Sequence, residues 1–173
     1  MRLDGEEWPR FFNSYQRDAW RLETLPVYRM PGEESRLAEF RTTGRVAIPD
    51  DNQWLTRVRH YLATGRTIGR VHVLSRPLTE YLRFELAFYA FSAKAGEDIR
   101  ILDLTGRENP ELPNQDFWML DDNVVEMRYD AEGRQIGRFL LAAPDLARYR
   151  EWKRLAIEHS VPYGDYVAEH LVH

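Results

Sequence analysis

The chain has 173 residues, 43% of them hydrophobic, which fits one globular domain with a sizeable core. Its 24 basic and 28 acidic residues leave a net charge of −4, so no bulk basic excess exists to drive generic polyanion binding. Cysteine is absent, which excludes disulfides, thiol nucleophiles and thiolate-held metals. No apolar run nears the ~18–20 residues of a membrane span, and the opening stretch MRLDGEEWPRFF lacks a secretory h-region. The expectation is a cytoplasmic domain over 1–173: a helical part at 1–65, a sheet core at 66–142 and helices at 143–173.

In chain order, Trp8, Phe12, Tyr15 and Ala19 recur at helical spacing and predict an amphipathic helix over 6–20, fading before Leu25-Pro26. Val27-Tyr28 reads as a short extended piece. Glu33 to Thr43 reads as a helix closed by Gly44. Asp50 or Asp51 is positioned to cap a third helix running to Thr64, with Trp54, Leu55, Val58, Tyr61 and Leu62 inward. Ile68 to Leu74 then reads as a strand, Leu78 to Ala95 as a long helix ended by Gly96, and Asp98 to Leu104 as a second strand. Strand, helix, strand in that span is the βαβ pattern, with parallel strands and a right-handed crossover. After a polar loop over 105–115, the segments 117–120, 124–129 and 136–141 read as an antiparallel meander. Asp121-Asp122 forms one of its turns, and Gly133 closes a hairpin. Ala143-Pro144-Asp145 starts a helix to His159, Val161-Pro162 breaks it, and 163–171 reads as one more short helix. The fold class is therefore α+β: a mixed sheet of about five strands, one βαβ crossover and one antiparallel meander, flanked by N- and C-terminal helices.

The chemistry-bearing residues are sparse. There is no P-loop, dinucleotide-binding glycine motif or nucleophile elbow. Of the basic residues only Lys94 and Lys153 are lysine; the rest are arginine, suited to planar, bidentate recognition of carboxylates and phosphates. Segment 57–83 carries +5 and segment 97–133 carries −8, a dipole suited to a charged partner. In the long helix Leu78, Tyr81, Leu82, Glu85, Leu86 and Tyr89 share one stripe, and Phe84, Phe88 and Phe91 share another, so two sides want cover. His72 lies mid-strand. His60 sits on the third helix. The spacing of His159, His170 and His173 matches no metal motif, so no metal or other cofactor is expected. The best anion site in the sequence is the turn Ser75-Arg76-Pro77, where a parallel strand ends and a helix begins. Arg70, His72 and Arg83 flank it. The candidate ligand-binding residues are therefore Arg70, His72, Ser75, Arg76 and Arg83, and no catalytic residue is assigned.

Several stretches carry a resemblance: WPRFFNSYQRDAWRLETLPVY, RVHVLSRPLTEYLRFELAFY, AGEDIRIL, DFWMLDDNVVEMRYDAEGR and VPYGDYVAEH. Together they resemble an actinobacterial (Streptomyces-type) domain-of-unknown-function family found near helix-turn-helix regulators. The middle of the chain is also similar to half of a phospholipase D-like domain. His72-Val73-Leu74 lacks that family's lysine, and Thr79 stands at its aspartate position, so this likeness implies a catalytically empty version. These resemblances and the missing motifs imply a regulatory or protein–protein interaction module, non-enzymatic in leaning, working with a helix-turn-helix regulator. Neither a membrane nor direct nucleic-acid contact is expected. The alternative is an enzyme or sensor that binds a phosphate-bearing or nucleotide-like small molecule through arginines.

Overall fold

The computed structural model describes residues 1–171; His173 of the C-terminal histidine group lies outside them. A helix α1 (Glu7–Asn13) is followed by strand β1 (Asp18–Glu23), then by helices α2 (Glu34–Thr43) and α3 (Gln53–Ala63). Next come β2 (Thr67–Leu74), α4 (Glu80–Ala95) and β3 (Asp98–Asp103). The meander is β4 (Asp116–Leu120), β5 (Asn123–Tyr129) and β6 (Gln135–Leu140), and the chain continues through α5 (Leu146–His159), β7 (Val161–Pro162) and α6 (Tyr163–His170). All strands join one seven-stranded sheet in the order β6-β5-β4-β1-β2-β3-β7. β1, β2 and β3 are parallel neighbours, and the other pairings are antiparallel. The α+β class, the β2-α4-β3 crossover and the meander stand as expected. Among the described residues no helix is long and apolar enough to cross a membrane.

Two strands exceed the expected five. The helix predicted over 6–20 stops at Asn13, and β1 takes over at Asp18. Phe12, Tyr15 and Ala19 do share one buried cluster, but they reach it from a helix, a turn and a strand. Asp121 enforces the switch: its carboxylate accepts the backbone N–H of Gln16, Arg17 and Asp18 at 2.8, 2.8 and 3.1 Å. Although partly buried, that carboxyl is held below the ordinary range by these three donors. Val161-Pro162 breaks the last helix as expected, yet also pairs with Arg100 and Ile101 as β7. Asn52, rather than Asp50 or Asp51, caps α3 by accepting from Trp54 and Leu55 N–H, and α4, capped by Thr79, starts at Glu80 rather than at Leu78. Gly44 and Gly96 end α2 and α4 with left-handed backbones.

The two faces of the sheet differ. On one, Trp20, Leu22, Val71, Phe117, Met119 and Val124 pack with Tyr149, Trp152 and Leu155 of α5. On the other, under α1, α3 and α4, an apolar zone around Ala19, Ile68 and Leu120 gives way to buried charge at Glu23, Arg70, His72 and Asp116.

Candidate ligand pocket on the polar face of the sheet

Strand periodicity builds the site. Ala19, Arg21 and Glu23 share the face opposite Trp20 and Leu22. Arg21 lies opposite Arg70 on β2 and Trp118 on β4, and Glu23 lies opposite His72. Farther out, Met127 pairs with both Asp116 and Arg138. A row of polar side chains, interrupted only by Met127 on β5, thus runs across the sheet from β6 to β2.

Arg70 is the hub of its inner end. Its Nη1 donates to Glu23 Oε1 at 2.6 Å, while Nε and Nη2 donate to Glu97 Oε2 and Oε1 at 2.9 and 3.0 Å. Glu97 follows the α4 cap and also accepts from Ser92 Oγ at 3.0 Å; Ser92 in turn accepts from Trp54 Nε1 at 3.0 Å. Asp116 accepts from Thr24 N, Thr24 Oγ1 and the Tyr28 hydroxyl, at 2.9, 2.7 and 2.5 Å. Arg21 donates through Nη2 to Tyr129 Oη at 2.8 Å and lies 3.4 Å from Asp116.

Tyr89 of α4 ties three groups together: its hydroxyl is 2.8 Å from Glu23 Oε1, 2.9 Å from Glu85 Oε1 and 2.9 Å from His72 Nδ1. His72 Nε2 donates to the Leu25 carbonyl at 3.1 Å. Burial pushes the His72 pKa down, against the pull of Glu23. Burial alone would raise Glu23, but the Arg21 and Arg70 guanidiniums hold it well below the carboxylate range. Burial and then the Glu23 charge push Glu85 far up, which favours its neutral acid form.

Ligand oxygens and nitrogen of Glu23, His72 and Glu85 lie within 4.8 Å of one another, the composition of a cation site. The bonding argues otherwise. Glu23 is already held by Arg70 and Tyr89, both His72 nitrogens are engaged, and a cation would face the Arg70 guanidinium. The trio is a hydrogen-bond network.

Beside it opens a cavity of about 410 Å³, within the usual range for small-molecule sites. Trp8, Phe12, Trp54, Trp118, Tyr28 and Tyr129 contribute aromatic wall. Arg21 Nε, Arg57 Nη2, Arg138 Nε, Gln135 Nε2 and Glu85 Oε2 are buried polar atoms with no hydrogen-bond partner, and all five belong to residues lining this cavity. Such atoms are rare in folded proteins, and a cluster of them around a cavity is completed by whatever fills it, solvent or a bound molecule. Four of the five are donors. Five arginines, including Arg36 and Arg70, line the cavity against Glu23, Glu33 and Glu85. Burial raises both Glu33 and Glu85, so the balance is cationic. Arg57 stacks 5.0 and 5.4 Å from the Phe12 and Trp54 rings, and Arg138 stacks 5.2 Å from Trp8.

The sequence-predicted residues divide. Arg70 lines this cavity, and His72 lies fully buried behind Tyr89, outside its lining. Ser75, Arg76 and Arg83 are exposed and lie elsewhere. Ser75 borders a separate cavity of about 360 Å³ at the strand ends, with Thr24, Leu104 and Asn109. Arg76 donates through Nε to Asp103 at 2.8 Å, and Arg83 through Nη1 to Leu78 O at 3.0 Å. The structure therefore does not gather the five into one site. Sequence reasoning missed Arg21, Glu23, Arg57, Glu97, Gln135 and Arg138. One signal was visible: Glu85 sits inside an otherwise apolar helical stripe, where a carboxyl must be either partnered or neutral.

No curated protein is similar to this chain at a significant level. A family model described as a domain of unknown function, DUF6879, matches residues 6–168, a span that takes in both ends of the polar row and every residue lining the cavity. The chain belongs to the DUF6879 family.

Proposed function

We propose that residues 1–173 act as one domain whose task is to bind a small anionic molecule in the arginine-lined cavity. The observation that carries this reading is the set of four unpartnered donors, on Arg21, Arg57, Arg138 and Gln135, around one aromatic-walled space. Unsatisfied buried donors are costly, and an acid group satisfies several at once. The wider role is that of a cytoplasmic regulatory module, in which occupancy of the cavity is passed to a protein partner. A helix-turn-helix regulator as that partner rests on the family resemblance in the sequence. The likeness to a catalytically empty phospholipase D-like half-domain supports the same sensing role.

A second reading is an enzyme acting on the same ligand class. Glu85 favours it, because a buried carboxyl kept neutral beside a cavity has the profile of a general acid. The test is a thermal-shift and calorimetric screen with phosphates and carboxylates. Acids should raise the melting temperature of the wild type. Arg138→Leu should weaken the best of them by roughly 10- to 150-fold, as expected for losing a charged hydrogen bond of about 1.5–3 kcal/mol. Unchanged affinity in Arg138→Leu and Arg57→Leu would remove the cavity as the site. Turnover of the bound acid, lost in Glu85→Gln, would favour the enzyme.

A further inference from the structure

The cavity has two chemically different ends. Arg138 on β6 and Glu23 on β1 sit three strand spacings apart in one row across the sheet, roughly 14 Å. The outer end offers donors: Arg138 Nε, Gln135 Nε2 and, from α3 above, Arg57 Nη2. At the inner end, beside Glu23 and under α4, the one unpartnered acceptor atom is Glu85 Oε2.

The hydrogen bonds around Tyr89 show which oxygen Glu85 presents there. The Tyr89 hydroxyl has one proton and three polar neighbours: Glu23 Oε1, His72 Nδ1 and Glu85 Oε1. The Leu25 carbonyl can only accept, so His72 carries a proton on Nε2. The one Tyr89 proton cannot serve all three neighbours, and with Glu23 ionised a further proton in the cluster is best placed on Glu85, between its Oε1 and Tyr89. With or without that proton, Oε1 is engaged by Tyr89 and Oε2 is left as the free oxygen, able to accept a hydrogen bond. Burial next to Glu23 supports the protonated state.

An acid of simple aliphatic type would leave that oxygen bare and the aromatic walls unstacked. Resting on the anion-binding reading above, we propose that the occupant is a planar nitrogen heterocycle carrying an acid group, of nucleoside-monophosphate size. Arg57, Arg138 and Gln135 hold its acid, and Glu85 Oε2 accepts from a neutral N–H on its ring edge. Trp54, Trp118 and Tyr129 supply the stacking surfaces. A cationic amine is disfavoured at the same place by Arg21 and Arg70, whose charges both reach Glu85.

The experiment is calorimetric titration of the wild type with the four common nucleoside 5′-monophosphates, purine riboside 5′-monophosphate, 1-naphthyl phosphate and inorganic phosphate. Purine riboside 5′-monophosphate differs from AMP only in lacking the amino group. At least one common nucleotide should bind tenfold or more tightly than naphthyl phosphate and inorganic phosphate. If that nucleotide is AMP, it should also exceed its amino-free analogue tenfold. Glu85→Leu should abolish the advantage, and Glu85→Gln, a neutral isostere that still offers an oxygen, should keep it within threefold. The ligand comparisons on the wild type hold even if a variant does not fold. If naphthyl phosphate binds as tightly as every nucleotide, and Arg138→Leu weakens it, the N–H reading is overturned while the anion-binding reading stands. If none of the acids binds, both fall.

Discussion

The two faces of the same strands are built to opposite rules. On β1, Trp20 and Leu22 enter an apolar layer under α5, while Arg21 and Glu23, one residue along, enter a buried ionic row under α4. On β2, Val71 and His72 divide in the same way. The apolar face gains free energy from removing surface from water. The polar face costs free energy unless each charge is paired, and a buried pair rarely improves on an apolar substitute. A sheet that carries both gets its cohesion from the α5 layer and from the apolar clusters that flank the charges, and holds between those clusters a preorganised set of charges, and preorganisation is what a binding site needs.

The largest expected effect follows from that contrast. Arg70→Leu should destabilise the fold by about 3–5 kcal/mol, because it leaves Glu97 buried without its cation and Glu23 with only the looser 3.9 Å contact to Arg21. Leu22→Ala on the other face should cost about 2–5 kcal/mol through lost packing and the cavity it leaves. Denaturant unfolding measures both. The contrast lies in the double variant Arg70→Leu/Glu97→Leu, which should recover part of the loss. No second truncation can restore Leu22→Ala. A double variant less stable than Arg70→Leu alone would mean that the ionic row stabilises the fold outright.

The difference between the faces also explains which parts of the molecule could be read from the sequence. The apolar alternations of β2 and β3, the hairpin at Gly133 and the caps at Gly44 and Gly96 were legible because local patterning and burial agree there. β1 was not. On its pocket side it carries half-buried Arg21 and buried Glu23, so two of its inward positions look solvated. Meanwhile Trp8, Phe12, Tyr15 and Ala19 mimic a helical period, since a helix, a turn and a strand deliver them to one cluster. The cavity was illegible for a related reason. Its donors come from β1, α3 and β6, spread over more than a hundred residues of chain, and nothing local marks Arg57 or Arg138 among so many arginines. Arg70 and His72 were singled out as part of a strand-end anion site, but they lie in the middle of the sheet face because their side chains follow the pleat.

A smaller effect is expected in the pH dependence. The Glu85 pKa is raised in the fold, so the stability it confers is complete below the ordinary Glu value of about 4.3 and declines as pH rises toward the folded value. His72 and Glu23 are lowered, so their contributions are present above their unfolded values and are lost on acidification. Glu85 is faced by Glu23, His72 and Tyr89, with Arg21 and Arg70 nearby. Glu85→Gln should therefore match the wild type near pH 4 and become the more stable protein between pH 5 and 8. The difference should grow with a slope of at most ~1.4 kcal/mol per pH unit. Identical stability–pH curves for the two proteins would place an ionised Glu85 in the fold and remove the neutral acid from the site.

The smallest effect is expected at Arg76, where the sequence alone pointed to an anion. The argument for that turn was a helix N-terminus at the end of a parallel strand, with a guanidinium beside it. In the fold, Thr79 already accepts from Leu82 N–H and donates to Pro26 O, so the helix start is partly satisfied by the chain itself. The Arg76 backbone N–H is given to Thr105 Oγ1 at 2.7 Å, and its Nε to Asp103 at 2.8 Å. Asp103 is further held by Tyr166 at 2.9 Å. An incoming acid would have to displace this carboxylate, whereas the donors around the larger cavity are unengaged. Arg76 is exposed, and a solvated ion pair of this kind contributes little to stability. Arg76→Ala should therefore leave the melting temperature close to that of the wild type and the affinity for any acid within twofold. Arg138→Leu, measured beside it, should reverse the pattern. If instead Arg76→Ala loses acid binding and Arg138→Leu keeps it, the ligand belongs to the strand-end cavity with Ser75 and Asn109, and the unpartnered donors on the sheet face need another explanation.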